Sequence, residues 1–307
     1  MTIYVKDGGV WRTLDRVYVR DGTSFTNQTI NNVYVKHSDE WRNVFVIFET
    51  PTTFSTTAGS IAVPALANAI HVQFAVAAGG GGSGGMDYDS RGYEDAGAGG
   101  GSGAFISDKV FSVTGGETLT IVTGTGGAGG NPIGDPPGDG TSRSGGNGSA
   151  ATSVSGTSSG ALFSLAVGVG ATSNYNSVAV AGTGGSATIS GTALTSGTTV
   201  DGQNITSYQS GPLGAFNQHG SGASGSGGNR CSGDNCNVGG ANGAASYSSQ
   251  VAGGVGGDAG NGGSYESGQV GKPGTRGSGG GGGGTEQGAP GGAGGDGEIS
   301  YRFLRIA

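Results

Sequence analysis

The sequence predicts an all-β protein: a small β-meander module followed by a β-framed, glycine-rich domain with extended polyglycine-II-like helices and essentially no α-helix. Three observations carry that prediction. Apolar and polar residues alternate at period two across the segments between glycine tracts. Glycine makes up 73 of 307 residues and gathers in runs. Strong helix formers are rare, and each glycine inside an α-helix costs about 1 kcal/mol relative to alanine.

The first 48 residues carry an internal repeat. Tyr4-Val5-Lys6-Asp7-Gly8-Gly9-Val10-Trp11-Arg12 returns as Tyr18-Val19-Arg20-Asp21-Gly22 and as Tyr34-Val35-Lys36-His37-Ser38-Asp39-Glu40-Trp41-Arg42. Each copy alternates, reaches Asp-Gly or another polar turn, then resumes with an apolar or aromatic residue, which is the pattern of a β-hairpin. So short a module buries little surface alone and is expected to lean on oligomerisation or a partner. Tyr4, Trp11, Tyr18, Tyr34 and Trp41 are its candidate attachment residues.

The remainder, 49–307, reads as one glycine-rich distal domain. Residues 54–64 give a strand and a Val-Pro turn, and 69–77 a second strand of strict alternation. Residues 105–113 and 118–122 form a hairpin about Thr114-Gly115-Gly116-Glu117, and 298–306 a terminal strand. Shorter β-prone runs lie at 161–167, 177–180 and 186–189. The stretch 149–210 is Ser/Thr/Ala-rich with little polyglycine, and it reads as an inserted β subdomain.

The strands feed the glycine tracts at 79–85, 99–103, 126–130, 279–284 and 291–297. Residues without Cβ let extended chains approach closely enough to hydrogen-bond laterally, so these tracts can form a lattice whose core is backbone. Ordering glycine is entropically costly, and the lattice needs the hairpins as a frame. Collagen is excluded because the third-residue glycine period is absent. The glycine-dense matches to nucleotide-binding motifs open no helix, and Gly271-Lys272 is followed by Pro273. Gly81-Gly82-Ser83-Gly84-Gly85 matches a hydrolase elbow but runs into more glycine instead of a helix. Asp87-Tyr88-Asp89-Ser90-Arg91-Gly92 begins like a calcium loop, yet its twelfth position is Ala98 where a bidentate Glu belongs, so it reads as a polar loop.

The formal net charge is -7, with acids and bases scattered, and only 11% of residues are charged. No basic stripe exists to neutralise phosphates, so nucleic acid is not an expected partner. No signal-peptide pattern opens the chain and no apolar run approaches the roughly 20 residues of a membrane span. Cys231 and Cys236 leave a local disulfide and two free thiols both open, while a metal site lacks the ligands it would need. No catalytic constellation emerges, and no enzyme activity, metal or cofactor is expected.

The order of these elements resembles the glycine-rich domain of bacteriophage tail fibre and receptor-binding proteins. Three stretches carry the resemblance: 54–64 with His71-Val72-Gln73-Phe74-Ala75-Val76-Ala77-Ala78-Gly79-Gly80; 103–130; and Gly291 through Arg302, all in the family's order. The resemblance implies a virion protein at a tail fibre or tail tip, made in the host cytoplasm and trimeric. It implies that exposed loops adhere to a bacterial surface polysaccharide or outer-membrane protein, while the N-terminal module joins other tail proteins. A purely structural part, such as a fibre spacer or baseplate piece, is the alternative. Aromatic residues in side-chain-poor segments are the candidate receptor contacts, because tyrosine joins an apolar face to a hydroxyl: Tyr88, Tyr93, Tyr208, Phe216, His219, Tyr247 and Tyr265.

Overall fold

The structure is a computed structural model describing residues 52–55, 58–85, 97–132, 143–172, 180–202, 270–283 and 289–306, with the backbone of six strands between residues 3 and 47. Every regular element among the described residues is a β-strand. In the N-terminal repeat, β1 (Ile3–Asp7) pairs with β2 (Val10–Leu14), β3 (Val17–Asp21) with β4 (Ser24–Gln28), and β5 (Val33–His37) with β6 (Glu40–Ile47). Asp7 pairs with Val10, Asp21 with Ser24 and His37 with Glu40, so each hairpin closes with two residues between its paired ends. The polar turn residues of the repeat fall there, as short hairpin connections require. Tyr4, Trp11, Tyr18, Tyr34 and Trp41 lie on β1, β2, β3, β5 and β6 respectively.

The strand expected at the start of the domain is two: β7 (Thr52–Phe54) and β8 (Ala58–Ala62). They are followed by β9 (Ala69–Val76), β10 (Phe105–Ser112), β11 (Thr118–Val122), β12 (Thr152–Gly156) and β13 (Gly160–Leu165). The last are β14 (Ala187–Ile189), β15 (Thr198–Val200) and β16 (Glu298–Arg305). One sheet runs β15-β10-β9-β16-β6-β5, with β7 also on β16; the other runs β14-β13-β12-β11-β8, and all pairs are antiparallel. The chain's first and last segments meet where β6 joins β16 through Leu304↔Ile47 and Arg305↔Val46.

Alternation puts one face of each sheet against the other. Ile70, Val72, Ile106, Phe111, Ile299 and Phe303 meet Leu119, Ile121, Val154, Leu162, Phe163 and Leu165 in one buried cluster. The Phe111 and Phe163 rings sit 5.6 Å apart in that cluster. Each such side chain contributes about 1.5–3 kcal/mol on burial. The stretch 149–210 places its described strands in both sheets: β12, β13 and β14 in the second and β15 in the first. Val154, Leu162, Phe163 and Leu165 belong to the shared core.

Beyond one end of this sandwich the chain continues as extended rods. Along 79–85 successive N–H groups point to three different neighbours in rotation. Gly79, Gly82 and Gly85 donate to Gly295, Gly292 and Ala289; Gly80 and Ser83 to Gly101 and Ala98; Gly81 and Gly84 to Gly146 and Arg143, all at 2.8–2.9 Å. The carbonyls rotate likewise. Gly127 and Gly130 donate to Gly79 and Gly82, Gly280 and Gly283 to Gly80 and Ser83, and Gly168 and Ala171 to Ala78 and Gly81. A repeat of three residues per turn with lateral bonds only is a threefold extended helix, rising about 3.1 Å per residue.

Six rods therefore surround one. The three that accept from the centre run antiparallel to it, and the three that donate run parallel. They also bond around the ring: 289–295 to 124–130 and 278–283, 143–148 to 124–130 and 166–171, and 97–103 to 166–171 and 278–283. The alternation of direction follows from the connectivity: rods 79–85, 124–130 and 166–171 extend β9, β11 and β13, rods 97–103, 143–148 and 289–295 return toward β10, β12 and β16, and 278–283 turns outward again after 270–274. Rods 180–186 and 270–274 extend the lattice outside the ring.

Close approach is what demands glycine at the centre: a Cβ on Gly82 would overlap the Gly281 carbonyl, and one on Gly80 the backbone of Val169. Outer rods are freer. Thr125, Ala128 and Asn131 are exposed at every third position, as are Val180, Thr183 and Ser186. Gly82→Ala is expected to lower stability by more than about 3 kcal/mol, above ordinary overpacking because the obstacle is backbone. Ala128→Ser, on an exposed row, should stay within about 0.5 kcal/mol. Chemical denaturation of the two variants against the parent protein checks both.

Candidate functional site

The lattice has two ends of different character. At one, the rods pass into strands of the sandwich, except 270–274 and 278–283, which a turn at Arg276 and Gly277 joins to each other. At the other, the chain leaves the described residues at 85, 132, 172 and 283 and re-enters at 97, 143, 180 and 289. These ends share one level: Gly85 bonds Ala289, Gly84 bonds Arg143, Ser83 bonds Ala98, and Thr172 and Val180 bond each other at 2.9 and 2.7 Å. Four connections thus spring from one pole, and residue 270, beside the Gly271–Pro290 bond, brings the chain back from a fifth at that end. β6, by contrast, joins β16 at the end of that strand remote from the rods.

Tyr88 and Tyr93 lie between Gly85 and Gly97, outside the described residues. Tyr208, Phe216, His219, Tyr247 and Tyr265, with Cys231 and Cys236, lie between 202 and 270 and are outside them too. The flanking rods fix where those segments are tethered. Ser83 and Arg143, close to the pole, are fully buried, and the Ser83 hydroxyl accepts the Ala98 N–H at 2.9 Å. Among the described residues no three His, Cys, Asp or Glu side chains converge as a metal site would require.

Two polar clusters lie on the sandwich, and sequence reasoning singled out neither. Glu117, 4% exposed, follows the Gly116 turn, whose φ of +81° requires glycine. Its carboxylate accepts N–H bonds from Thr114 at 2.6 Å and from Ser158 and Ser159 at 2.9 Å, and the Ser159 hydroxyl at 3.1 Å. One side chain thereby ties the β10–β11 turn to the β12–β13 turn, far from the pole. Burial raises its pKa, but the backbone donors outweigh burial and hold the carboxyl below its ordinary value.

The second cluster lies on β9, β10 and β16, on the sheet face turned away from the core. Arg302 Nε–H donates to His71 Nδ1 at 3.0 Å, which leaves the imidazole proton on Nε2, 3.5 Å from Asp108. Ser300 donates to Gln73 at 3.1 Å beside it. Burial and the adjacent guanidinium lower the His71 pKa, against the opposing pull of Asp108. The signal was present in sequence as the polar members of two alternating strands, His71 with Gln73 and Ser300 with Arg302. Alternation alone does not separate such a cluster from an ordinary solvated face. Neither cluster contains a nucleophile set between a base and an oxyanion donor, so both read as structural.

An all-β sandwich crowned by a backbone lattice, whose rods open at one pole into the connecting segments, defines the class of protein. The chain belongs to the glycine-rich domain family, which it matches over residues 55–304. No curated protein sequence matches the chain.

Glu117→Gln removes a charged acceptor of several bonds and is expected to cost about 1–3 kcal/mol, read by thermal unfolding. Both perturbed groups act with the same sign on acidification. His71, held below its ordinary value of 6.5, stays neutral in the fold while the unfolded chain takes up a proton, so it costs stability as pH falls below 6.5. Glu117, held below 4.5, contributes above the carboxylate range and loses that contribution as pH falls through its folded value. Denaturant midpoints measured between pH 8 and 5 should decline in the parent protein and less so in His71→Gln.

Proposed function

We propose that this chain is the adhesive tip of a bacteriophage tail fibre, which binds the host surface through connections at the rod pole and the virion through its N-terminal hairpins. One observation carries the reading: the connections spring from one end of a stiff lattice, while the hairpin repeat joins the far end of β16. A binding surface is best built from loops held by a rigid scaffold, since the scaffold then restrains what the loops would otherwise lose in conformational entropy. Glycines of the inner rods cannot be varied without backbone collision, so variation for recognition falls to the connections and the exposed outer rows. Tyr88 and Tyr93, in the first connection, are its best candidate contacts, with Tyr208, Phe216, His219, Tyr247 and Tyr265 in the longest.

The partners follow from this reading. A bacterial surface polysaccharide or outer-membrane protein is the receptor, other tail proteins receive the hairpin module, and the chain acts as a trimer. Two-stranded hairpins are marginal alone, and β1–β2 and β3–β4 each form a separate two-stranded sheet, which is why a partner or further copies belong there.

The test is adsorption of the labelled full-length chain to a panel of bacterial strains. Selective binding is expected, and Tyr88→Ala with Tyr93→Ala should weaken it by about tenfold or more, 1.4 kcal/mol per tenfold, without moving the thermal midpoint. A folded protein that is incorporated into particles and binds no strain would instead make it a structural fibre component.

A further inference from the structure

Where rods 270–274 and 289–297 meet the sandwich, the structure holds an open cleft of about 320 Å³, at the lower end of the roughly 300–1,000 Å³ common to small-ligand sites. Its side chains come from Ser55, Thr275, Arg276, Asp296 and Glu298. Arg276 stands out. Its φ is +41°, a left-handed conformation that costs a non-glycine residue about 1–2 kcal/mol, and Gly277 follows at +73°. The guanidinium is held in place twice. Arg276 Nε lies 3.2 Å from Glu298 Oε2, and its guanidinium carbon stands 5.9 Å from the centre of the Phe74 ring. The side chain nonetheless stays 41% exposed, facing the cleft it lines. Asp296 is fixed as well, because one carboxylate oxygen accepts the Gly126 N–H at 2.8 Å.

A strained arginine kept rigid at the mouth of a cavity is the pattern of a ligand clamp. The charges select the ligand. An anion would meet two carboxylates, and a bare cation would meet a guanidinium already paired with one of them. A neutral molecule whose hydroxyls both donate and accept satisfies both kinds of group at once. We propose that this cleft is a subsite for a neutral, polyhydroxylated ligand of monosaccharide size. It rests on the receptor-binding reading only for the ligand's source, a glycan at the host surface.

The experiment is ligand-observed NMR on the full-length protein with methyl glycosides of glucose, galactose and mannose at millimolar concentration. Inorganic phosphate and calcium chloride serve as contrasting probes. At least one glycoside is expected to bind, and Arg276→Asn, which a left-handed backbone accepts, should weaken it at least tenfold while the unfolding transition is kept. Glu298→Gln should weaken it too. The inference is overturned if no glycoside binds the folded protein, if only phosphate or calcium binds, or if both variants bind as the parent does. Cell adsorption separates the two readings: strains bound while no glycoside binds sinks the subsite alone, and glycosides bound while no strain is bound sinks the tip assignment alone.

Discussion

The structure depends on one constraint, the near absence of Cβ atoms along residues 79–85, six of which are glycine. Six backbones can gather around a seventh only if almost nothing projects from it, and successive N–H and C=O groups then find partners in different directions. Ser83 is the one residue of that rod with a side chain, and its hydroxyl is itself used, on Ala98 N–H. A hydrophobic core excludes water with side chains; this lattice excludes it with peptide groups, so its stability rests on hydrogen-bond completeness. Substitutions there act as collisions with fixed carbonyls and not as cavities.

Completeness alone would not order so much glycine, which loses more freedom on folding than any other residue. The sandwich supplies the missing organisation. Most outgoing rods start from a strand held by the core that contains Phe111 and Phe163, and most returning rods end in another, so the sandwich sets their spacing and direction. Side chains then close the lattice boundary: Asp296 on the Gly126 N–H, Ser149 on Thr125, and Asn147 on Gly170. Glu117 locks the opposite end of the sandwich, where two turns would otherwise separate. The outcome is a scaffold rigid in its middle that leaves its connections free to differ, which is the arrangement the adhesive-tip proposal uses.

Much of this was legible in sequence. Alternation located β9, β10, β11 and β16, and the glycine runs enter the lattice over 79–85, 99–103, 126–130, 279–283 and 291–297. Rods 143–148, 166–172 and 180–186 were not foreseen, because a rod on the lattice surface needs glycine or a small residue only where it meets neighbours. Ala166, Val169 and Thr172 occupy the third, outward positions, and that three-residue period hides in a Ser/Thr/Ala-rich stretch that reads as strand. The candidate site was legible only in outline: tyrosines in long connections could be named, while the pole that tethers them emerges from bonding register. Arg276 and Glu298 gave no signal, since the turn and the strand that bring them together are 22 residues apart in number and joined only through the lattice.

The most direct test of the backbone-core account is residue-resolved amide hydrogen exchange. Amides of residues 79–85 should exchange as slowly as those of β9, with which they share the centre of the molecule, and far more slowly than Ala128 on the exposed row. Exchange of the 79–85 amides at the rate of exposed glycine would contradict a closed lattice and leave the sandwich as the only ordered core.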